Sequence, residues 1–294
     1  MAATKIGIIG GSGLGEALCA KEDGRAVQVD TPFGRPSAPI TETSWQGVDI
    51  ALLNRHGEGH TFSPTRVPYR ANIYALKAIG CTHVIASGAV GSLREEIPPK
   101  SLVIPNQIID KTHKRPNTFF DDYFAAHVEF AMPFCPVLRK HLLECAKQVQ
   151  GTTVYPGGTY VCMEGPAFST RAESEMHRDW GGDLIGMTAM PEAKLAREAE
   201  LSYAMVCLPS DYDCWRPVPG ELDKHELLKE IIGNLQEATA NAIELIKIAV
   251  SRFGEIAETA SPSHSALEMA IWTDRNHIDP AAKDKYGILV QKYL

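Results

Sequence analysis

The stretch Thr82–Gly91, THVIASGAVG, joins a short β-branched and apolar run to a break at Ser87-Gly88. The first five residues are typical of a buried β-strand, and the Ser-Gly pair is typical of the turn that ends one. Three further apolar runs also stop at glycine, hydroxyl or acidic residues: Lys5–Ile9, Asp183–Met187 and Ser202–Leu208. We therefore predict four buried strands whose carboxyl ends carry small or polar groups.

Segments of other periodicity fill the intervals between these runs. Further strand-like segments are Val48–Leu53, Ser101–Asp110 and Tyr160–Cys162. Start signals or helical spacing predict helices from near Ser63-Pro64 to Gly80, over Val137–Val149, Thr170–Trp180 and Pro191–Glu200, and along a stripe of Leu228, Ile231, Leu235, Ala238, Ala242, Leu245 and Ala249. Thr170 and Glu173 also have the spacing of a capping box at a helix start.

This alternation of strands and helices predicts the fold class. We expect an α/β fold in which residues 1–294 form a single domain, with a mixed central β-sheet flanked by helices. Residues 261–294 show a weaker pattern, and we expect them to form a C-terminal extension that packs on the same domain.

Charge and cysteine content narrow the function classes. The chain has 29 Lys and Arg against 36 Asp and Glu, a net charge of −7, and no basic run, so nucleic acid is not an expected partner. Seven cysteines without a CxxC pair argue against a disulfide framework and structural zinc. The N-terminal MAATKIGIIGG lacks the features of a signal peptide, and no apolar stretch reaches membrane-spanning length. We therefore expect a cytoplasmic protein without membrane contact.

The glycine loop Gly10–Gly15, GGSGLG, follows the first predicted strand. Bare backbone N–H groups in such a loop can face an anion, with the Ser12 hydroxyl beside them. Glu16 stands where a dinucleotide fingerprint needs its last glycine, and no Gly-Lys-Ser/Thr follows. A tight turn without any ligand explains the loop equally well.

Two charged motifs follow predicted strands. Arg55-His56 opens RHGEGH, where the arginine fork suits a phosphate and the histidine can donate to the same anion. A surface ion pair is the alternative.

Asp211 and Asp213 flank Tyr212, and residues two apart in an extended chain point the same way. Such a pair suits the N–H donors of adenine, and one carboxyl, protonated, could donate to a ring nitrogen. A solvated loop is the alternative, and a metal site lacks a third ligand.

Two single residues have simpler explanations when taken alone. Phe168 stands just before a predicted helix, where an aromatic ring can stack on a planar ligand. A core phenylalanine is the simpler interpretation of that residue. His127 has no obvious local partner, and a core or surface histidine is its simpler interpretation.

Long motifs occur in a fixed order along residues 5–250, nearly the whole chain. They are IGIIGGSGL, TPFGRPS, RHGEGH, YRANIYALKAIGCTHVIASGAVGSLREE, HVEFAMPFCP, YVCMEGPAFSTRAESEMHRDWGGDLIGMTAMPEAKLARE and SDYDCW. Together they resemble the trimeric purine nucleoside phosphorylases, and most closely the 5′-methylthioadenosine branch of that family.

The resemblance implies a role for each matching position. It implies a phosphate site made of Ser12, Arg55, His56, Ser87, the amide near Ala89, and Thr188. For the nucleoside it implies that Met187 packs under the ribose, Phe168 stacks on the base, Asp211 bonds purine N7 and Asp213 sits by the 6-amino group. His127 matches a residue that reaches into the neighbouring subunit's pocket, so the resemblance implies a homotrimer.

Residue choice within the family points to adenine as the base. The 6-oxopurine branch has Asn at the Asp211 position and an acid after the stacking phenylalanine, where this chain has Ser169. A carboxylate accepts a hydrogen bond from an amine but faces a 6-oxo group acceptor to acceptor.

Other positions depart from the methylthioadenosine pattern. Gly88 replaces a hydroxyl residue and Gly186 replaces a common Asn. In the pocket for the 5′ substituent, an ungapped match places Lys224, and a one-residue slip places His225, which would suit a 5′-hydroxyl. Leu227 and Leu289 could supply an apolar lining for that pocket.

The implied reaction is phosphorolysis of methylthioadenosine to adenine and 5-methylthioribose 1-phosphate, in purine and methionine salvage. Inorganic phosphate is a co-substrate, and neither a metal nor an organic cofactor is implied. The alternatives are an inosine/guanosine phosphorylase, a methylthioinosine phosphorylase, an NAD-dependent dehydrogenase and a nucleoside-binding module without turnover.

Overall fold

One mixed β-sheet runs through the protein, whose computed structural model describes residues 4–12, 14–19, 24–216 and 223–294. Its strands are β1 (Lys5–Gly10), β2 (Arg25–Val27), β3 (Ile40–Trp45), β4 (Val48–Asn54), β5 (Cys81–Ser92), β6 (Leu102–Val103), β7 (Gln107–Asp110), β8 (Val154–Tyr155), β9 (Thr159–Cys162), β10 (Leu184–Gly186) and β11 (Ser202–Asp211). The helices are α1 (Leu14–Cys19), α2 (Tyr69–Ala78), α3 (Pro136–Ala146), α4 (Arg171–Asp179), α5 (Ala189–Glu198), α6 (Lys224–Ser251) and α7 (Ala281–Tyr286), with short 3-10 turns such as Glu58–His60. The predicted α/β class with a mixed sheet is confirmed.

The central strand β5 is longer than the sequence predicts. The expected break at Ser87-Gly88 is wrong, because β5 continues to Ser92. Strand β11 pairs with it in parallel from His83 to Gly91, and this ladder keeps the Ser-Gly pair extended. Strand pairing across the sheet therefore outweighs a local turn signal.

The opposite edge of β5 has two neighbours in succession. Strand β1 pairs in parallel with Cys81–Ala86, and β10 pairs antiparallel with Gly91 and Ser92. Neither strand pairs with residues 87–90 on this edge. The sheet thus opens where β1 ends, and the candidate site lies at this opening.

Several predicted boundaries also differ from those observed. The helix expected from Ser63-Pro64 begins at Tyr69, and the single strand expected over Ser101–Asp110 is divided into β6 and β7. Pro105 lies between these two strands and has no N–H to donate to a ladder. The capping box is confirmed, because the Thr170 hydroxyl accepts from the Glu173 amide at 3.2 Å and the Glu173 carboxylate accepts from the Thr170 amide at 2.8 Å.

Alternate residues of the central strands pack into two apolar clusters on the two faces of the sheet. On β5, Val84 and Ala86 enter one cluster and Ile85 enters the other. The first cluster also includes Leu267, Tyr286 and Leu289 of the C-terminal segment. The second includes the predicted α6 stripe from Ala238 to Ala249, whereas Leu228 is 55% exposed. Among the described residues, no helix is long and apolar enough to cross a membrane.

Candidate active site

Arg55 follows β4 and lies at the opening in the sheet. Its side chain is fully buried. Nε and Nη2 donate to the two carboxylate oxygens of Glu192 at 2.7 and 2.8 Å, and Nη1 donates to the Ser87 carbonyl at 2.7 Å. Burial alone would lower the pKa of Arg55, but the charge of Glu192 raises it above its ordinary value. The guanidinium is therefore permanently charged and held in one orientation.

Glu192 belongs to α5 and was not singled out by the sequence. Besides the Arg55 fork, its Oε1 accepts the Tyr203 hydroxyl at 2.8 Å. Its direct neighbours Pro191 and Ala193 are buried and apolar, whereas Lys194, Arg197 and Glu198 of the same helix are charged. A glutamate between two apolar neighbours was the only available signal, since its partner lies 137 positions away.

The glycine loop packs directly on this arginine. The Gly11 amide points at the Ser87 hydroxyl over 3.4 Å, and a Cβ on Gly11 would lie only 2.8 Å from Arg55 Nη1. Ser12 is half-buried beside it, Ala89 is half-buried in β5, and Gly13 lies outside the described residues. The structure thus brings Gly11, Arg55 and Ser87 together, and an amide, a guanidinium and a hydroxyl can bind an anion.

Thr188 lies at the same opening, at the start of α5. Its hydroxyl would be 3.6 Å from a Cβ on Gly88.

Gly88 and Gly186, the two departures from the family pattern, have steric reasons in this structure. A Cβ on Gly88 would lie 2.8 Å from the Met205 methyl group, and one on Gly186 would overlap the Tyr160 hydroxyl. These two side chains occupy the space that larger residues at positions 88 and 186 would need.

His56 has a defined tautomer. Its Nδ1 lies 2.8 Å from the Phe62 carbonyl, which can only accept, so Nδ1 carries the proton. Burial, with the Arg55 charge adding to it, lowers the pKa of His56 to about 4. The neutral ring therefore offers Nε2 as an acceptor, for example to a protonated phosphate oxygen. The donation to an anion that the sequence suggested would need a doubly protonated ring.

Asp211 ends β11, opposite Gly91 of β5. Its two oxygens accept from the Ser210 hydroxyl at 2.7 Å and from the Asp213 amide at 2.8 Å. Burial raises the pKa of the Asp211 carboxyl, and the nearby negative charge of Asp213 raises it further. This combination favours a carboxyl that can hold a proton.

Asp213 lies beside Asp211, as the sequence predicts, but the chain between them is not the extended strand that the prediction assumed. Its φ of +50° is left-handed, so the argument from an extended chain is wrong. Both residues nevertheless meet at Gly91, where an added Cβ would lie 3.1 Å from Asp211 Oδ1 and 3.2 Å from Asp213 Cβ. The buried Ser174 of α4 donates to Asp213 Oδ2 at 2.5 Å, and burial raises the pKa of this carboxyl too.

Four further predicted residues have contacts or exposures as follows. Ser169 contacts the Met163 sulfur at 3.7 Å, and Met187 packs against Gly165. Phe168 is 83% exposed. His127 is exposed and its ring lies 4.8 Å from that of Trp272.

The residues predicted for the 5′ pocket lie on α6 and in the C-terminal segment. Leu227 is half-buried on α6, His225 is exposed, and Leu289 is buried in the first apolar cluster. Residues 217–222 and the side chain of Lys224 lie outside the described part of the chain.

Arg115, which the sequence did not indicate, joins the loops around the opening. Its guanidinium donates at 2.6 Å to the carbonyls of Glu164, Met187 and Met190. The Glu164 carboxylate accepts from Thr65 at 2.5 Å. Burial opposes its charge, but hydrogen bonds from Thr65 and backbone amides lower the pKa of Glu164 to about 2. This network fixes the loops that carry Phe168 and Thr188.

Comparison with known proteins gives consistent matches. Residues 5–251 match the phosphorylase superfamily. The S-methyl-5′-thioadenosine phosphorylase of Cereibacter sphaeroides is 48% identical over 292 residues, which cover 99% of each chain. The enzyme of the same name from Geobacter sulfurreducens is 46% identical over 290 residues, covering 98% of this chain and 99% of its own.

Solved structures agree with these sequence matches. A methylthioadenosine phosphorylase from an antarctic soil metagenomic library has a TM-score of 0.88 at 42% identity, covering 98% of this chain and 99% of its own. A mutant of the adenosine/methylthioadenosine phosphorylase from Schistosoma mansoni, in complex with methylthioadenosine, has a TM-score of 0.81 at 34% identity, covering 92% and 99%.

Proposed function

Because the chain belongs to the phosphorylase superfamily, we propose that it converts S-methyl-5′-thioadenosine and phosphate to adenine and 5-methylthioribose 1-phosphate. It is a pentosyltransferase of the purine nucleoside phosphorylase type. Relatives at 43–48% identity, matched over 98–99% of this chain, carry the name of this activity. The reaction serves purine and methionine salvage.

The observation that carries the proposal is the arrangement of two groups along β5. Arg55 contacts Ser87, and the Asp211–Asp213 pair meets at Gly91, four residues further along the strand. Four residues of extended chain span roughly 13 Å. A fixed positive group and a pair of carboxyls at this separation suit a phosphate and a purine on either side of a ribose.

The proposed mechanism assigns the anion groups to positioning. Arg55, Ser12, Ser87, Thr188 and the amide near Ala89 hold phosphate, with His56 accepting from a protonated oxygen. A phosphate oxygen forms the bond to C1′ while the bond from C1′ to the purine nitrogen breaks. The negative phosphate stabilises the oxocarbenium-like centre between them.

The proposed mechanism assigns the acidic pair to the leaving base. The electron pair of the broken bond goes to the purine, and protonated Asp211 donates its proton at N7. Asp213 accepts from the 6-amino group. Met187 packs under the ribose, and Phe168 and Ser169 line the base.

The finer parts of the proposal concern assembly and setting. We propose a homotrimer in which His127 completes a neighbour's pocket. Exposed apolar side chains beside His127 support a contact between copies. Trp272, whose ring lies 4.8 Å from that of His127, is 73% exposed, and Met269, whose carbonyl accepts from the Trp272 indole, is 86% exposed. We also propose that Leu227 and Leu289 give the 5′ pocket an apolar lining. The proposed setting is the cytoplasm, and the proposed reaction uses neither a metal nor an organic cofactor.

The test measures, by chromatography, the base released from methylthioadenosine, adenosine and inosine, each with and without phosphate. The proposal expects phosphate-dependent release that is fastest from methylthioadenosine. Faster release of hypoxanthine from inosine would overturn the assignment of the base. Binding of nucleoside without any release would indicate a binding protein instead.

A further inference from the structure

The Arg55–Glu192 ion pair is fully buried, although an arginine can bind an anion without a buried carboxylate partner. Both side chains have zero exposure, and Glu192 uses both oxygens on the arginine. Tyr203, also buried, donates to the same carboxylate. The proposed mechanism gives this glutamate no contact with phosphate or nucleoside.

Stability is a poor explanation for such a pair. Removing two charges from water costs several kcal/mol per ion, and apolar replacements of buried pairs are often neutral or stabilising. Burial of Arg55 requires a counter-charge, but it does not require that both oxygens of the carboxylate bond the guanidinium. The specific gain from Glu192 is orientation, because a carboxylate that accepts Nε–H and Nη2–H fixes the plane of the guanidinium.

The orientation leaves a defined part of Arg55 for a ligand. Among the described residues, three of its five N–H groups have partners, which leaves one N–H on Nη1 and one on Nη2. The Nη1 nitrogen faces Gly11, where the absence of a side chain allows close approach. The two unpaired N–H groups therefore lie on different nitrogens, Nη1 and Nη2. Together they can bind two oxygens of one phosphate.

We propose that Glu192 is a positioning residue for the phosphate co-substrate, acting through Arg55, and that Tyr203 holds Glu192 in turn. The inference rests on the proposed function, since it takes the ligand of Arg55 to be phosphate. Ordering the arginine before the ligand arrives removes part of the entropic cost of binding and of reaching the reactive geometry.

The variant Glu192→Gln tests this at nearly constant volume. An amide keeps one acceptor but places its NH₂ group against an arginine N–H, so the fork is lost. We expect kcat/KM for phosphate to fall roughly tenfold or more, as for other residues that orient a ligand-binding group. The KM for nucleoside at saturating phosphate should stay within about twofold.

Glu198→Gln is the matched control. Glu198 lies on the same helix and is buried, but it accepts from Thr118 and the Phe119 amide at 2.7 Å and not from Arg55. Burial raises its pKa to about 7, so a neutral side chain suits this position. Its kinetic constants for phosphate should equal those of the wild type.

Direct binding separates this proposal from the proposed function. Titration calorimetry with inorganic phosphate alone needs no turnover, and Glu192→Gln should weaken phosphate binding roughly tenfold, whereas Glu198→Gln should not. If the wild type binds phosphate but releases no base, the function fails while the positioning role stands. Unchanged phosphate binding and unchanged kcat/KM in folded Glu192→Gln would overturn the positioning role.

Tyr203→Phe keeps the test decisive if Glu192→Gln does not fold. It removes one hydroxyl and leaves the ion pair, so kcat/KM for phosphate should fall about threefold without a change in the KM for nucleoside. Equal losses for phosphate and nucleoside, or no loss, would contradict the role.

Discussion

The two ends of the candidate site solve the burial of charge in opposite ways. At the anion end, Arg55 and Glu192 carry opposite charges, have no exposure and bond each other twice. At the base end, Asp211 and Asp213 are both acids and are half-buried, and their contacts come from hydroxyls and an amide. One end is fixed by an ion pair, and the other is a pair of acids without a cation among these contacts.

This difference decides which end can exchange a proton. The charge of Glu192 raises the pKa of Arg55, so the guanidinium keeps its proton at any working pH. Burial raises the pKa values of Asp211 and Asp213, which brings their titration closer to neutrality. The anion end therefore suits positioning, and the base end suits proton donation to a leaving group.

Breaking the ion pair should have the largest effect. Arg55→Met leaves Glu192 buried without its partner, which should lower the free energy of unfolding by about 3–5 kcal/mol. It also removes the central donor to phosphate, which should lower kcat/KM for phosphate by about 10³-fold. Urea unfolding and steady-state kinetics measure the two effects.

A double variant separates these two losses. Arg55→Met with Glu192→Met replaces the pair by apolar side chains and should regain most of the unfolding free energy. Its kcat/KM for phosphate should remain as low as in Arg55→Met. Recovery of activity together with stability would show that Arg55 does not touch the substrate.

Removing the proton at the base end should have the next largest effect. Asp211→Asn cannot act as an acid, so turnover of methylthioadenosine should fall about 100-fold or more. Use of 6-oxopurine nucleosides should fall less, because the two N–H groups of an amide can donate to N7 and to the adjacent 6-oxo group together. Equal losses on both substrate classes would refute the base-reading role of Asp211.

Loosening Asp213 should have a smaller effect. Ser174→Ala removes the hydroxyl that donates to Asp213 Oδ2, and one such hydrogen bond is worth about 1 kcal/mol, or roughly a fivefold change. The preference for 6-amino over 6-oxo nucleosides should decrease by that factor, with the KM for phosphate unchanged. A change in the KM for phosphate alone would mean that Ser174 acts at the anion end and not at the base end.

A further effect, on stability rather than on turnover, concerns pH at the anion end. Burial lowers the pKa of His56 to about 4, against 6.5 in its ordinary state. Below pH 6.5 the unfolded chain protonates this ring while the folded chain does not, so the contribution of His56 to stability is present above pH 6.5 and is lost as pH falls towards 4.

The variant His56→Gln isolates that contribution from other titrating groups. Urea unfolding of both proteins across this pH range should show the difference in unfolding free energy, wild type minus variant, decreasing as pH falls. A difference that increases would mean that the folded protein holds His56 protonated.

The sequence predicts much of the fold because its strands and caps are locally encoded. Apolar periodicity indicates β1, β11 and α6, and the Thr170–Glu173 spacing indicates the start of α4. Local reasoning fails at Ser87-Gly88, where pairing with β11 keeps the chain extended. It also fails at Asp213, whose left-handed backbone follows the end of β11.

The candidate site was partly predictable for the same reason. Arg55, Ser87 and Asp211 follow or lie in apolar strands, and strand ends in α/β sheets collect ligand-binding groups. Glu192 and Ser174 lie inside helices, and their partners are 137 and 39 positions away. Contacts of this kind depend on how helices pack on the sheet, which periodicity alone does not specify.

The most direct test is phosphorus NMR of the sugar product from methylthioadenosine and phosphate. The account predicts one equivalent of 5-methylthioribose 1-phosphate for each adenine released, with inorganic phosphate consumed in the same amount. Adenine release with free 5-methylthioribose and unchanged phosphate would show that water attacks C1′. That result would contradict the assignment of Arg55 and its neighbours to phosphate.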